Sequence, residues 1–267
     1  VERPHNQHGE QQVSTNLKNV VITGAGGGIA SAVVEALAAR GGVNVMATDL
    51  NRAGLDALEG RVSFTDGELV TRVVDVTDSS AIDASVAEAV ERWGSLHGIA
   101  NIAGYTPPGQ DTADTSDELF DRVMAINARS AFAGMRAALP HLVETGGAVV
   151  NIGSFFAIRG GTNFATYTAA KHAVVGMSKA AAWEYAPKGV RVNVIAPGPT
   201  YTDMVLTAFD AINPDDREAG KRVMESRSPS GRLSYPEEIA QTIIWALLDA
   251  PVHLTGQVIA VDGAKAS

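Results

Sequence analysis

Cysteine is missing from all 267 residues of the chain. Its absence removes any disulfide framework, any thiolate metal site and any thiol nucleophile, and it fits a reducing compartment. Positive charge is also short: 21 Lys and Arg stand against 30 Asp and Glu, for a formal net charge of -9. A surface of that sign repels phosphate backbones, so nucleic acid is not expected as a partner. No apolar run approaches the roughly 20 residues a membrane helix needs, and the first residues lack a basic and apolar signal pattern. The expectation is a soluble, cytoplasmic protein with no membrane partner. His5 and His8 are two isolated imidazoles in a polar stretch, which is a poor metal site, so no metal is expected.

What is present is apolar and rich in small residues: 45% hydrophobic, with 27 Gly and 11 Pro, a balance that suits one α/β domain. Residues 1–17 are polar and aperiodic and read as a flexible tail, leaving 18–267 as the single domain. Short β-prone runs then appear at 19–23, 44–48, 70–74, 98–101, 148–152, 191–195 and 257–261. Helical patterns fall between them at 29–40, 52–59, 79–93, 117–143, 166–185 and 236–248. Strands alternating with helices of this length predict a doubly wound α/β fold of the Rossmann type, a seven-stranded parallel sheet with helices on both faces. Alternation breaks after the sixth strand, and the long connection at about 198–234 reads as a substrate lid with short helices at 203–209 and 215–226.

The first strand runs into Thr23-Gly24-Ala25-Gly26-Gly27-Gly28-Ile29-Ala30 and then an alanine-rich helix. Glycines let backbone approach a ligand, and a helix N-terminus offers free N–H groups and a positive dipole end, so this turn suits a pyrophosphate. Asp49 closes the second strand, with Leu50 beside it, where a carboxylate accepts hydrogen bonds from adenosine ribose hydroxyls and repels a 2′-phosphate. NAD is therefore the expected cofactor, with NADP left as the alternative because Arg52 follows three residues later. Asp75 and Val76, after the third strand, are placed to meet an adenine edge, although a turn carboxylate is an equal reading of Asp75.

Further on, Tyr167 and Lys171 stand one turn apart on a predicted helix, on one face. An ammonium beside a phenol favours its ionised form, so Lys171 is expected to lower the Tyr167 pKa toward neutrality. Ser154, with a hydroxyl able to donate to a carbonyl or alkoxide-like oxygen, completes a candidate acid/base site. Candidate pocket residues follow these motifs: Tyr105, Thr106, Pro107, Phe155, Phe156, Asn163, Phe164, Met204, Val205 and Phe209. They suggest a mostly apolar pocket for an uncharged hydroxy or keto compound, with Arg159 either facing an acidic substrate group or in a surface ion pair.

Thr23-Gly24-x-x-x-Gly28-Ile29-Ala30, Asp75-Val76, Asn101-Ile102-Ala103-Gly104, Asn127, Ser154, Tyr167-x-x-x-Lys171 and Pro197-Gly198 fall in the order and spacing of the short-chain dehydrogenases/reductases. The chain resembles that family over about residues 19–263. It departs at Ala30, where the family has glycine, and at Ile102, where it has a second asparagine. The resemblance implies a secondary alcohol/ketone oxidoreductase, with Ser154 positioning the reacting oxygen and Tyr167 as acid/base. Lys171 would lower the phenol pKa and hold the nicotinamide ribose, while Asn127 would hold a water linking Lys171 to solvent. Gly24, Gly28 and Ile29 would line the pyrophosphate, and Asn101, Ala103 and Gly104 would lie beneath the cofactor. The Pro197-Gly198 turn, with Thr200 and Thr202, would reach the carboxamide. A homotetramer is the implied assembly. Two rival readings keep the fold: use of bound NAD for epimerisation or dehydration, and nucleotide sensing without catalysis.

Overall fold

The computed structural model describes residues 17–266, so the expected tail, with His5 and His8, lies outside the described residues except for Leu17. Seven strands, β1 (Lys18–Thr23), β2 (Val43–Asp49), β3 (Leu69–Val73), β4 (Gly98–Asn101), β5 (Ala148–Ile152), β6 (Arg191–Pro197) and β7 (Val258–Val261), pair in parallel. Their order is β3-β2-β1-β4-β5-β6-β7, the doubly wound arrangement expected from the sequence. Alternate side chains of each strand enter opposite layers. Val20, Ile22, Val45 and Val150 pack beneath α1 (Gly28–Arg40), α2 (Arg52–Glu59) and α9 (Pro236–Ile244). Val21, Met46, Ile99 and Val149 pack beneath α3 (Ser79–Trp93), α5 (Ser130–Thr145) and α6 (Ala165–Tyr185). The central strands are buried on both faces, so they read as largely apolar runs.

Strand order reverses between β1 and β4, and the crevice at their C-terminal ends is where such sheets bind ligands. One hydroxyl pins the floor of that crevice: Thr23 Oγ1 accepts from the backbone N–H of Ile102 (3.0 Å) and of Ala103 (3.2 Å). Below it runs a buried amide ladder. Asn101 Nδ2 donates to Asn151 Oδ1 (2.8 Å), and Asn151 Nδ2 donates to Ser178 Oγ (2.8 Å), which ties β4, β5 and α6 together. Paired this way, the three polar side chains escape the penalty of burial, and removing one member strands another.

Two boundaries differ from expectation for physical reasons. The predicted helix at 117–143 is α4 (Asp117–Met124), a π-helical turn (Ala125–Arg129) and then α5 running on to Thr145. In the π turn, Asn127 Nδ2 takes the carbonyls of Val123 (3.0 Å) and Tyr105 (2.8 Å), so a tertiary partner stabilises a winding that periodicity does not reveal. The helix expected at 236–248 likewise ends as a π turn, Trp245–Asp249. After β6 the segment expected as a lid folds as α7 (Asp203–Ile212) and α8 (Arg217–Ser226), joined by the Arg217–Asp210 ion pair (2.6 Å), and Tyr201 O–H, just before α7, donates to Glu225 Oε1 (2.5 Å).

Gly134 on α5 lies directly over the amide ladder, where an added Cβ would overlap Asn101 Oδ1. Helix propensity alone favours Ala over Gly by roughly 1 kcal/mol, whereas overpacking costs about 1–3 kcal/mol. Gly134→Ala is therefore expected to lower stability in urea unfolding despite its better propensity, and a stabilised variant would show that the ladder can yield.

Candidate active site

The glycine turn after β1 is shaped by close approach. Gly24 has φ +77°, in the left-handed region, and a Cβ there would come 2.8 Å from the Ala103 backbone. At Gly28 a Cβ would meet Thr202 Cγ2 at 2.8 Å, so Thr202, the residue before α7, covers the start of α1. α1 begins at Gly28 with no side-chain cap and no acidic residue in its first turn. An uncapped helix N-terminus behind a glycine cradle fits a bound phosphate group. Ile29 packs against the core beneath it.

Asp49 is held from two sides, Oδ2 accepting from Gly26 N–H (2.9 Å) and Oδ1 from Asn51 N–H (2.7 Å). Each oxygen keeps a lone pair for a further donor. Leu50 beside it is 65% exposed. Arg52, the cation nearest in sequence, is paired with Asp56 (2.7 Å). Asp75, exposed, takes both the N–H (2.8 Å) and the hydroxyl (2.7 Å) of Thr77, so its carboxylate does build a turn, while Val76 packs against a small cluster around Val74. On the far side of the crevice Gly198 N–H donates to Val261 O (3.0 Å), and Thr200 Oγ1 returns a bond to Gly198 O (3.0 Å), which fixes the Pro197-Gly198 turn. The Asn101 side chain belongs to the amide ladder inside the domain, while its backbone closes β4 and leads into Ala103 and Gly104 at the crevice.

Tyr167 and Lys171 share one face of α6, with the amine 5.5 Å from the phenol ring centre. Lys171 is 2% exposed and ranks among the largest fully buried side chains of the described residues. Its Nζ donates to Ile152 O (3.1 Å), at the end of β5. Burial drives its pKa down from the ordinary lysine value to about 7. Ser154, two residues past β5, is buried and its Oγ accepts from Phe156 N–H (3.2 Å), which leaves its hydroxyl hydrogen free to be donated. Asn127 Oδ1 accepts from Tyr105 N–H (3.1 Å), and a Cβ at Gly104 would lie 3.0 Å from that oxygen and 3.6 Å from Lys171 Nζ. The amide and the amine thus approach one point above Gly104, from the π turn and from α6.

The phenol does not behave as expected from its neighbour. Burial pushes the Tyr167 pKa above its ordinary value, and hydrogen bonding to the Thr106 and Ser154 side chains opposes that shift. Lys171 does not reverse it. Thr106 Oγ1 also lies 3.0 Å from Met204 Sδ, which brings the segment after β4 against α7.

Beside the phenol stands an aromatic wall. Phe155 and Phe156 lie 4.1 Å apart between ring centres, Phe156 and Phe164 lie 5.2 Å apart, and Phe156 meets Tyr167 edge-on at 6.0 Å. Of the predicted pocket residues, Phe209 is not part of this wall; it is 1% exposed in α7, edge-on to Tyr201. The bond by which Thr23 ties β1 to β4 is not marked by any local pattern in the sequence, and neither is the placement of Arg227 and Lys265 near Arg159.

With this geometry in hand, similarity to known proteins is informative. Residues 24–264 match the family model described as Enoyl-(Acyl carrier protein) reductase. The chain is 35% identical over 251 residues to levodione reductase of Leifsonia aquatica, covering 93% of this chain and 94% of that protein. It is 34% identical over 253 residues to cyclohexanol dehydrogenase of Acinetobacter sp. (strain SE19), covering 94% and 96%. Among solved structures, levodione reductase superposes with a TM-score of 0.89 at 34% identity, covering 93% and 97%. A variant of actinorhodin polyketide ketoreductase solved with NADPH superposes with a TM-score of 0.86 at 29% identity, covering 95% and 99%. The chain belongs to the short-chain dehydrogenase/reductase family, whose fold and nicotinamide-cofactor chemistry it shares.

The buried amine has a consequence for stability. An unfolded chain holds the Lys171 proton up to the ordinary lysine pKa, whereas the folded chain releases it at about 7. The folded state is therefore penalised increasingly as pH falls through that window, and fully below it. Lys171→Met removes the penalty, so the Tm difference, variant minus wild type, is expected to grow more positive from about pH 10 to about pH 7. A difference independent of pH would mean that the amine is not desolvated.

Proposed function

We propose that the protein interconverts a secondary alcohol and a ketone, with NAD as cofactor, in the cytoplasm. The observation that carries this reading is the convergence of the Tyr167 phenol, the Ser154 hydroxyl and the buried Lys171 amine beside a glycine cradle built for a phosphate. The cofactor, when bound, supplies the hydride acceptor or donor. Gly24, Gly28 and Ile29 would hold its pyrophosphate, with Asp49 and Leu50 at the adenosine and Asp75 and Val76 at the adenine. Ala103 and Gly104 would lie beneath it, and Pro197, Gly198, Thr200 and Thr202 would face its carboxamide end.

Ser154 donates its free hydroxyl hydrogen to the substrate oxygen, which fixes that oxygen against Tyr167. Tyr167 accepts the hydroxyl proton in oxidation and returns it in reduction. Lys171, next to the phenol and poised near neutrality, receives or releases a proton through the point it shares with Asn127 above Gly104. The aromatic wall excludes water from the reacting oxygen, which strengthens each of these interactions. Association as a homotetramer is part of the same proposal; Phe120, Phe132 and Trp183, on α4, α5 and α6, are exposed and would be covered by it.

Tyr167→Phe keeps the ring and deletes the transferable proton. Turnover of NAD with a screen of secondary alcohols is expected to fall by roughly 10²–10⁴-fold with NAD affinity retained. Substantial remaining activity would refute the assignment of Tyr167, and an absence of net NADH formation by the wild type would favour epimerisation or dehydration instead.

Cofactor choice turns on Asp49. Its carboxylate accepts hydroxyl donors and repels a 2′-phosphate, and Arg52 is already engaged by Asp56. The wild type is expected to favour NAD over NADP in kcat/KM, and Asp49→Ala to lower that preference by roughly tenfold or more. A preference unaffected by the substitution would assign selectivity elsewhere.

A further inference from the structure

Against the Phe155 and Phe156 rings of the aromatic wall lies a cavity of about 370 Å³. Its lining is drawn from three distant parts of the chain: Phe155, Phe156 and Arg159 after Ser154, Arg227 at the end of α8, and Lys265 in the turn after β7. These segments interlock through the cations. Arg159 Nη1 donates to Lys265 O (3.1 Å), Lys265 Nζ donates to Arg227 O (2.7 Å), and the same amine lies 5.6 Å from the Phe155 ring centre. Gly161 permits the arrangement, since a Cβ there would overlap the Phe156 ring.

Among the described residues no carboxylate pairs with these charges. Ion pairs elsewhere in the domain engage many arginines, yet among the described residues none involves Arg159, Arg227 or Lys265. The one acid that acts on Lys265, Asp262, accepts from the N–H groups of Ala264 (3.0 Å) and Ala266 (2.9 Å) and forms no ion pair with the amine. Lys265 is pushed below its ordinary value by burial and then by Arg159 and Arg227. In a chain with a net charge of -9, three cations left facing one another in a cavity is an arrangement that a bound anion would relieve. The cavity and the reacting centre share one side chain, the Phe156 ring, which lines the cavity and stands edge-on to Tyr167.

We propose that this cavity is the anion subsite of the substrate, holding a carboxylate or similar small oxyanion at the end of the molecule opposite the carbinol. Arginine suits that task because its planar fork meets both oxygens of a carboxylate. The substrate class thereby shifts from an uncharged alcohol to a hydroxy acid or its keto counterpart, an inference that rests on the dehydrogenase reading.

Binding and turnover test it separately. Calorimetric titration with benzoate and with benzyl alcohol is compared between the wild type and the Arg159→Gln/Arg227→Gln double variant, with Lys265→Gln as an independent second variant. Both arginines are exposed, so the double variant is expected to fold. Benzoate affinity is expected to drop by roughly tenfold or more in the variants, with benzyl alcohol unaffected. In turnover, 3-hydroxycyclohexanecarboxylate should lose kcat/KM by a similar factor, through KM, while its methyl ester does not. Equal benzoate affinity in wild type and variants would overturn the proposal, as would equal losses for acid and ester. Loss of benzoate binding together with no oxidation of either alcohol would uphold the anion subsite and refute the dehydrogenase reading.

Discussion

The constraint on which the site depends is the burial of one amine. Lys171 sits in the interior with one hydrogen-bond partner among the described residues, the Ile152 carbonyl, and the sheet, α6 and the π turn are arranged around it. An isolated ammonium in such a place is costly, and the protein answers by letting its pKa fall to about 7. The same desolvation raises the neighbouring phenol. Two groups whose ordinary values lie far from neutrality on the basic side thus end up with different settings, one poised to exchange a proton and one holding it.

The fold supplies that geometry with few pieces. β5 ends at Ile152, which gives the amine its acceptor and carries Ser154 just beyond. α6 presents Tyr167 and Lys171 together, and the π turn inserts Asn127 toward the same point above Gly104. Across the crevice, Thr23 holds the ends of β1 and β4 in register so that the glycine turn and the Gly104 segment approach closely. A parallel sheet places all these strand ends on one edge, which is why residues spread over most of the chain meet.

Much of this was legible in the sequence, because local spacing carried it. The glycine turn, Asp49 and the Tyr167/Lys171 pair each depend on neighbours within a turn or a strand, and strand and helix periods located the sheet. Other features depend on long-range partners. The π turn exists because Asn127 captures the Tyr105 backbone, and Asn101 turns inward because Asn151 and Ser178 await it. The pKa of Tyr167 was expected to fall on the strength of a nearby cation, and burial, invisible in sequence, outweighed it. Arg159, Arg227 and Lys265 are separated by up to 106 residues along the chain and share no pattern, so only the folded chain brings them together.

The central claim is that the amine beside the phenol is desolvated and near neutral, and its titration can be followed directly. With lysine labelled at Cε, the carbon shift of residue 171, assigned through Lys171→Met, should report a midpoint near 7 in the folded protein. A midpoint at the ordinary lysine value would contradict the account, since the amine would then be a solvated cation and the proton path through it would have no physical basis.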